Sequence, residues 1–118
     1  MTEELIDTAW ERAKEVDGCD PDQIRKDCCG ALIKRSEYGN RDSQYGWEVD
    51  HIFPKSKGGD DNESNLRAMQ WENNASKGED FPRYWSAVKE NNNRNAACKK
   101  RLIINKQTLE TLKQLYNI

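Results

Sequence analysis

The segment from Trp47 to Gly78 constrains this chain more than any other. Trp47-Glu48-Val49-Asp50-His51-Ile52-Phe53 alternates large apolar with polar residues, which is strand spacing, and Pro54 ends it. The polar run from Lys55 to Ser64 contains Gly58-Gly59 and reads as a loop. Leu66 to Trp71 reads as a second extended segment. Glu72 to Gly78 fits a short helix that begins near Asn73-Asn74 and is closed by Gly78. The spacing therefore predicts strand, loop, strand and helix in that order.

The same segment concentrates reactive groups. His51 is the only histidine in 118 residues and stands beside Asp50. Asn65-Leu66 begins fourteen residues after it, followed by Asn74 and Lys77-Gly78. A neutral imidazole can take a proton from water, and carboxylate and amide oxygens suit a hard divalent cation.

Around this segment, Thr2 to Val16 reads as a helix, with Leu5, Ala9, Trp10, Ala13 and Val16 near one face and Gly18 as a stop. Asp20-Pro21 looks like a fresh helix start, with a short helix from Gln23 to Asp27. Ala31 to Tyr38 has strand content before a turn at Gly39-Asn40. Tyr84 to Lys89 and Lys100 to Ile104 read as a hairpin whose long turn is the Asn-rich stretch Asn91 to Asn95. Asn105 caps a last helix with Leu109, Leu112, Leu115 and Tyr116 on one face. The expected fold is α+β, a small single domain over residues 1–118 with flanking helices and a C-terminal hairpin plus helix.

Composition narrows the setting. Hydrophobic residues are 35% and charged residues 34%, polar for a globular chain, although four Trp and four Tyr each bury a large area. No apolar run approaches the ~20 residues of a membrane span, and Met1-Thr2-Glu3-Glu4 lacks the features of a secretion signal. A cytoplasmic location is expected. Cys28 and Cys29 are adjacent, unlike a C-x-x-C zinc knuckle, and Cys19 and Cys98 have no close partner in sequence. Reduced thiols are the expectation, with a tertiary contact to Cys98 left open.

Net charge is −2, but it is unevenly spread. Residues 1–24 hold eight acids against Arg12 and Lys14, while residues 91–109 hold five bases (Arg94, Lys99, Lys100, Arg101 and Lys106) and no acid. That asymmetry fits a local phosphate-facing surface or, equally, a solvated basic hairpin.

Gly46-Trp47-Glu48-Val49-Asp50-His51-Ile52-Phe53-Pro54-Lys55-Ser56-Lys57-Gly58-Gly59, Asn65-Leu66 and Asn74-Ala75-Ser76-Lys77-Gly78 together resemble the HNH endonucleases. Asp-His, Gly-Gly, Asn-Leu and Asn-x-x-Lys-Gly occur in the family's order and spacing, over a core of about residues 44–82. The resemblance implies a ββα-metal finger in which His51 is the general base, with one divalent cation held by Asp50 and Asn74. It implies that Asn65 supports the loop through backbone hydrogen bonds. Asn73 competes with Asn74 if the register slips by one, and Lys77-Gly78 favours Asn74. An amide ligand leans the cofactor towards Mg²⁺, with Mn²⁺ or another transition metal as alternatives. Lys77, Lys57, Lys55 and Arg67 lie nearest the motif as phosphate contacts.

The chain departs from the family in one respect. Many relatives bracket the finger with zinc-binding Cys pairs, whereas Gln70 and Asn73 stand at the second pair here. No structural zinc is expected, and packing of Trp47, Trp71 and Phe81 is the expected substitute. The resemblance implies hydrolysis of DNA, with a homodimer as one route to cutting both strands. Rival readings are a non-catalytic nucleic-acid-binding module, a nuclease toxin domain or an enzyme aimed at RNA, and an interaction domain whose basic residues 94–106 grip an acidic partner.

Overall fold

In the computed structural model, which describes residues 1–118, helix α1 (Glu3–Glu11) is capped by Thr2, whose hydroxyl accepts from Leu5 N. The helix ends well short of Val16. Lys14–Glu15 is instead strand β1, which pairs antiparallel with β2 (Ile24–Lys26), and β2 pairs with β3 (Leu32–Lys34). The expected helix over Gln23–Asp27 is thus a strand. Asp20 closes a local turn by accepting from Asp22 N rather than capping a helix. Arg25 then ties the hairpin together by donating to the carbonyls of Pro21, Glu11 and Ala13. The strand expected from Ala31 to Tyr38 stops at Lys34 and continues as a 3-10 turn over Arg35–Glu37.

The central segment follows its sequence pattern. Strand β4 (Trp47–His51) pairs antiparallel with β5 (Leu66–Gln70), setting Asp50 opposite Arg67 and His51 opposite Leu66. Helix α2 (Trp71–Lys77) follows directly, its first turn capped by the Gln70 side chain and its end closed by Gly78 at φ +52°. The loop between β4 and β5 carries 3-10 turns at Lys55–Lys57 and Glu63–Asn65.

Beyond α2, the two expected strands do pair, as β6 (Arg83–Trp85) with the last strand, Arg101–Ile103. The Asn-rich stretch between them is no long turn. It forms a second hairpin, β7 (Val88–Asn91) with β8 (Arg94–Ala97), leaving Arg101–Ile103 as β9. Asn92 and Asn93, at φ 54° and 64°, make its two-residue turn, a left-handed backbone that asparagine tolerates. Helix α3 (Lys106–Tyr116) is capped by Asn105 and buries Leu112, with Leu109 and Tyr116 packed alongside; Leu115 lies off that face, exposed.

The β4–β5 pair separates two apolar clusters. Trp47 and Ala68 pack with Ile6, Trp10 and Ile33 on one side; Ile52 and Met69 pack with Phe53, Tyr84, Ile104 and Leu112 on the other. Trp10 and Trp47 pack in a tilted arrangement with centroids 5.2 Å apart. No helix is long and apolar enough to cross a membrane.

The junction between β2–β3, α2 and β7 is polar rather than aromatic, which corrects the expectation for Trp47, Trp71 and Phe81. Those rings pack elsewhere, Trp47 on Trp10 and Tyr38, Phe81 on Phe53, while the Trp71 indole donates to the Ser43 carbonyl. The centre of the junction is Asp27, which is buried. Its Oδ1 accepts from the backbone N–H of Cys29 and Ala31, and its Oδ2 from Gln70 N at 2.9 Å and Asn73 Nδ2 at 3.0 Å. Asn73 also donates to the Val88 carbonyl and accepts from Ala87 N and Val88 N. Gln70 and Asn73 thus serve a carboxylate-centred network. Burial raises the Asp27 pKa, against the pull of its four donors, Asn73 first among them. Asp27→Asn would set an NH₂ against two donors, at a cost of about 3 kcal/mol. The melting temperature should fall on the order of 10 °C by circular dichroism. An unchanged midpoint would mean that the carboxylate does not hold this junction.

Candidate active site

Strand β4 and helix α2 bring Asp50, His51 and Asn74 to the wall of one open cavity of about 200 Å³, with Lys55 and Glu79 at its rim. Successive strand residues begin on opposite faces, so Asp50 points inward and is 4% exposed, while His51 is half-buried beside the loop. The loop curls back over His51. Asp61 Oδ1 lies 2.7 Å from His51 Nε2. A carboxylate only accepts, so Nε2 carries the hydrogen and Nδ1 keeps the lone pair of the neutral ring. Nδ1 has no hydrogen-bond partner within the protein. The contact with His51, with a smaller contribution from Lys55, holds the Asp61 carboxyl below the usual range.

The loop itself is built on Asn65, which is fully buried. Its amide oxygen accepts from Phe53 N at 2.7 Å, and its NH₂ donates to the carbonyls of Phe53 and Asp60. Gly59 makes that approach feasible, because a Cβ there would fall 1.8 Å from the Phe53 carbonyl oxygen. Tyr116 of α3 donates to Asp60 Oδ1 at 2.6 Å and pins the loop from outside.

Asn74 lines the cavity, whereas Asn73 turns into the Asp27 junction. The Asn74 Nδ2 donates to Glu48 Oε1 at 2.9 Å, and Glu48 in turn forms a bidentate pair with Arg41. With its nitrogen engaged, the free end of the Asn74 amide is its oxygen. Asp50 and Asn74 thereby form an all-oxygen donor pair. Asp50 accepts from Arg67 Nε at 3.0 Å and sits 3.3 Å from Lys77 Nζ, one partner per oxygen, which leaves each oxygen a further lone pair. Oxygen donors with room for water fit a hard cation such as Mg²⁺ or Mn²⁺.

The four basic residues near the motif divide. Lys55 and Lys57 are exposed on the loop beside the cavity. Lys77 is fully buried, its ammonium also donating to the His51 carbonyl at 3.3 Å, and Arg67 is nearly enclosed against Asp50 and the Tyr84 ring. Neither of these two turns its charge to solvent. Burial lowers the Lys77 pKa, against the pull of Asp50. Sequence reasoning missed Glu48 and Asp61, the partners of Asn74 and His51. The only local signal for Asp61 is an acid just past a tight glycine turn.

Residues 29–83 match a family model described as HNH endonuclease, a span that begins ahead of the motif core and ends at the first residue of β6. The family's proteins are nucleases that act on nucleic acid and use a divalent metal ion. No curated protein and no solved structure matches the chain.

Proposed function

We propose that this chain is a metal-dependent HNH endonuclease that hydrolyses DNA phosphodiester bonds in the cavity between β4 and α2. The observation that carries this reading is that Asp50 and His51 of one submotif and Asn74 of another, more than twenty residues on, line one cavity. His51 Nδ1 takes a proton from the attacking water, and Asp61 holds the ring by its other nitrogen so that this lone pair stays presented. A divalent cation held by Asp50 and Asn74 would supply charge stabilisation at the phosphate under attack and at the departing 3′ oxygen. Asn65 keeps the His51 strand and its loop in register. Lys77 and Arg67 position the Asp50 carboxylate, and Lys55 and Lys57 meet flanking phosphates.

The test is nicking of a supercoiled plasmid with Mg²⁺ or Mn²⁺, abolished by EDTA. DNA that is bound but never cut under either metal would leave a non-catalytic binding module as the reading. Asp61→Asn probes the held imidazole. Its loss should slow cleavage by about 10- to 100-fold, the usual scale for a lost outer partner of a functional histidine. An unchanged cleavage rate would count against this pairing.

A further inference from the structure

We infer that the outer face of the β6–β9 ribbon, centred on Trp85, is a second DNA contact that stacks an unpaired base and makes gapped or distorted DNA the favoured substrate. This deepens, and rests on, the nuclease reading. Strand alternation buries Tyr84 and turns Leu102 towards the core, and it sends Arg83, Trp85, Arg101 and Ile103 outward. In the ladder Trp85 stands opposite Arg101. Trp85 is 38% exposed, with Lys99 Nζ and Arg101 Cζ each 5.4 Å from its ring centroid. None of Arg83, Lys99 and Arg101 forms an ion pair within the protein. An indole left part-exposed beside two uncompensated cations, with Arg83 on the same outward face, fits a ligand that offers π faces and phosphates together, which a nucleic-acid strand does.

The ribbon has three residues per strand, about 10 Å of ladder, too short to read along a major groove. Within a duplex the base faces are already stacked, so the ring can take only a base that has left its pair. The platform is also coupled to the cavity. Ser76 Oγ donates to the Trp85 carbonyl at 2.7 Å, and Ser76 lies on α2 two residues after Asn74. Helix α2 therefore lines the cavity through Asn74 and, from the other side of the same turn, holds the backbone of the stacking residue through Ser76.

The test is fluorescence anisotropy in EDTA with two labelled probes: a fully paired duplex, and the same duplex with a gap of a few unpaired nucleotides. The wild type should bind the gapped probe about tenfold more tightly. Trp85→Ala should lose that preference, Trp85→Phe should keep most of it, and circular dichroism should show both folded. Lys99→Gln with Arg101→Gln should weaken both probes and flatten the logarithmic salt dependence by about 2. Equal binding of the probes by the wild type, or a full preference in Trp85→Ala, would overturn the inference. The measurement needs no cleavage, so it separates from the nuclease reading. A gap preference lost in Trp85→Ala with no plasmid nicking under any metal would sink that reading alone. Normal nicking with no gap preference would sink this inference alone.

Discussion

His51→Ala should leave a folded protein that binds DNA almost as the wild type does and barely cuts it. The ring makes one side-chain hydrogen bond, to Asp61, and sits at the cavity wall outside both apolar clusters. Truncation therefore removes little packing. What it removes is the base that enters in the transition state, and such a loss slows the chemical step on the order of 10²–10⁴. Single-turnover cleavage of a labelled duplex, alongside binding in EDTA, separates the two quantities. An unchanged rate would mean that another group activates the water.

The second large effect is expected at Asn74. Asn74→Ala deletes one neutral oxygen donor and no charge, so the protein should fold while its cation affinity drops. Mg²⁺ uses few protein ligands and keeps several waters, so the loss of one of two should be felt strongly. Cleavage should collapse at low Mg²⁺ and recover in part at high Mg²⁺. No concentration should rescue His51→Ala, because that variant lacks the base rather than the cation. Asn74→His should remain active and shift preference towards metals that accept imidazole nitrogen. Normal cleavage by Asn74→Ala at low Mg²⁺ would remove Asn74 from the ligand set. Glu48 makes the comparison sharper: its carboxylate orients the Asn74 amide and is itself held by Arg41, so Asn74→Asp would set two carboxylates against each other.

These expectations rest on a segment that could be read almost directly. The alternation from Trp47 to Phe53, the stop at Pro54, the Gly58-Gly59 turn and the closing Gly78 are short-range signals, and the strands and helix formed within a residue or two of them. Asn105 and the apolar face of α3 were legible for the same reason, although Leu115 fell outside that face. The Asn-rich stretch misled, because asparagine serves a loose loop and a left-handed two-residue turn alike, and only the pairing of Val88–Asn91 with Arg94–Ala97 decides between them. The N-terminal region misled more. The apolar spacing of Ala9, Trp10 and Ala13 continued past Glu11, but Arg25 reaches back from β2 to bond the carbonyls of Glu11 and Ala13.

Sequence alone determined the order of elements in the finger and the group of residues, Asp50, His51, Asn65 and Asn74, on which its chemistry is proposed to rest. It did so because turn chemistry and side-chain alternation act over a few residues and leave their mark there. Tertiary structure decided which charges are available and which are spent. Lys77 and Arg67 carry the same formal charge as Lys55 and Lys57, yet folding turns the first two onto Asp50 and leaves the others in water. Asp27 reads as one more surface acid until Gln70, forty-three residues away, delivers its N–H to it. A charge buried in a low-dielectric interior must find its partner wherever the chain brings one, and that partner is set by packing between distant elements, which no local pattern encodes.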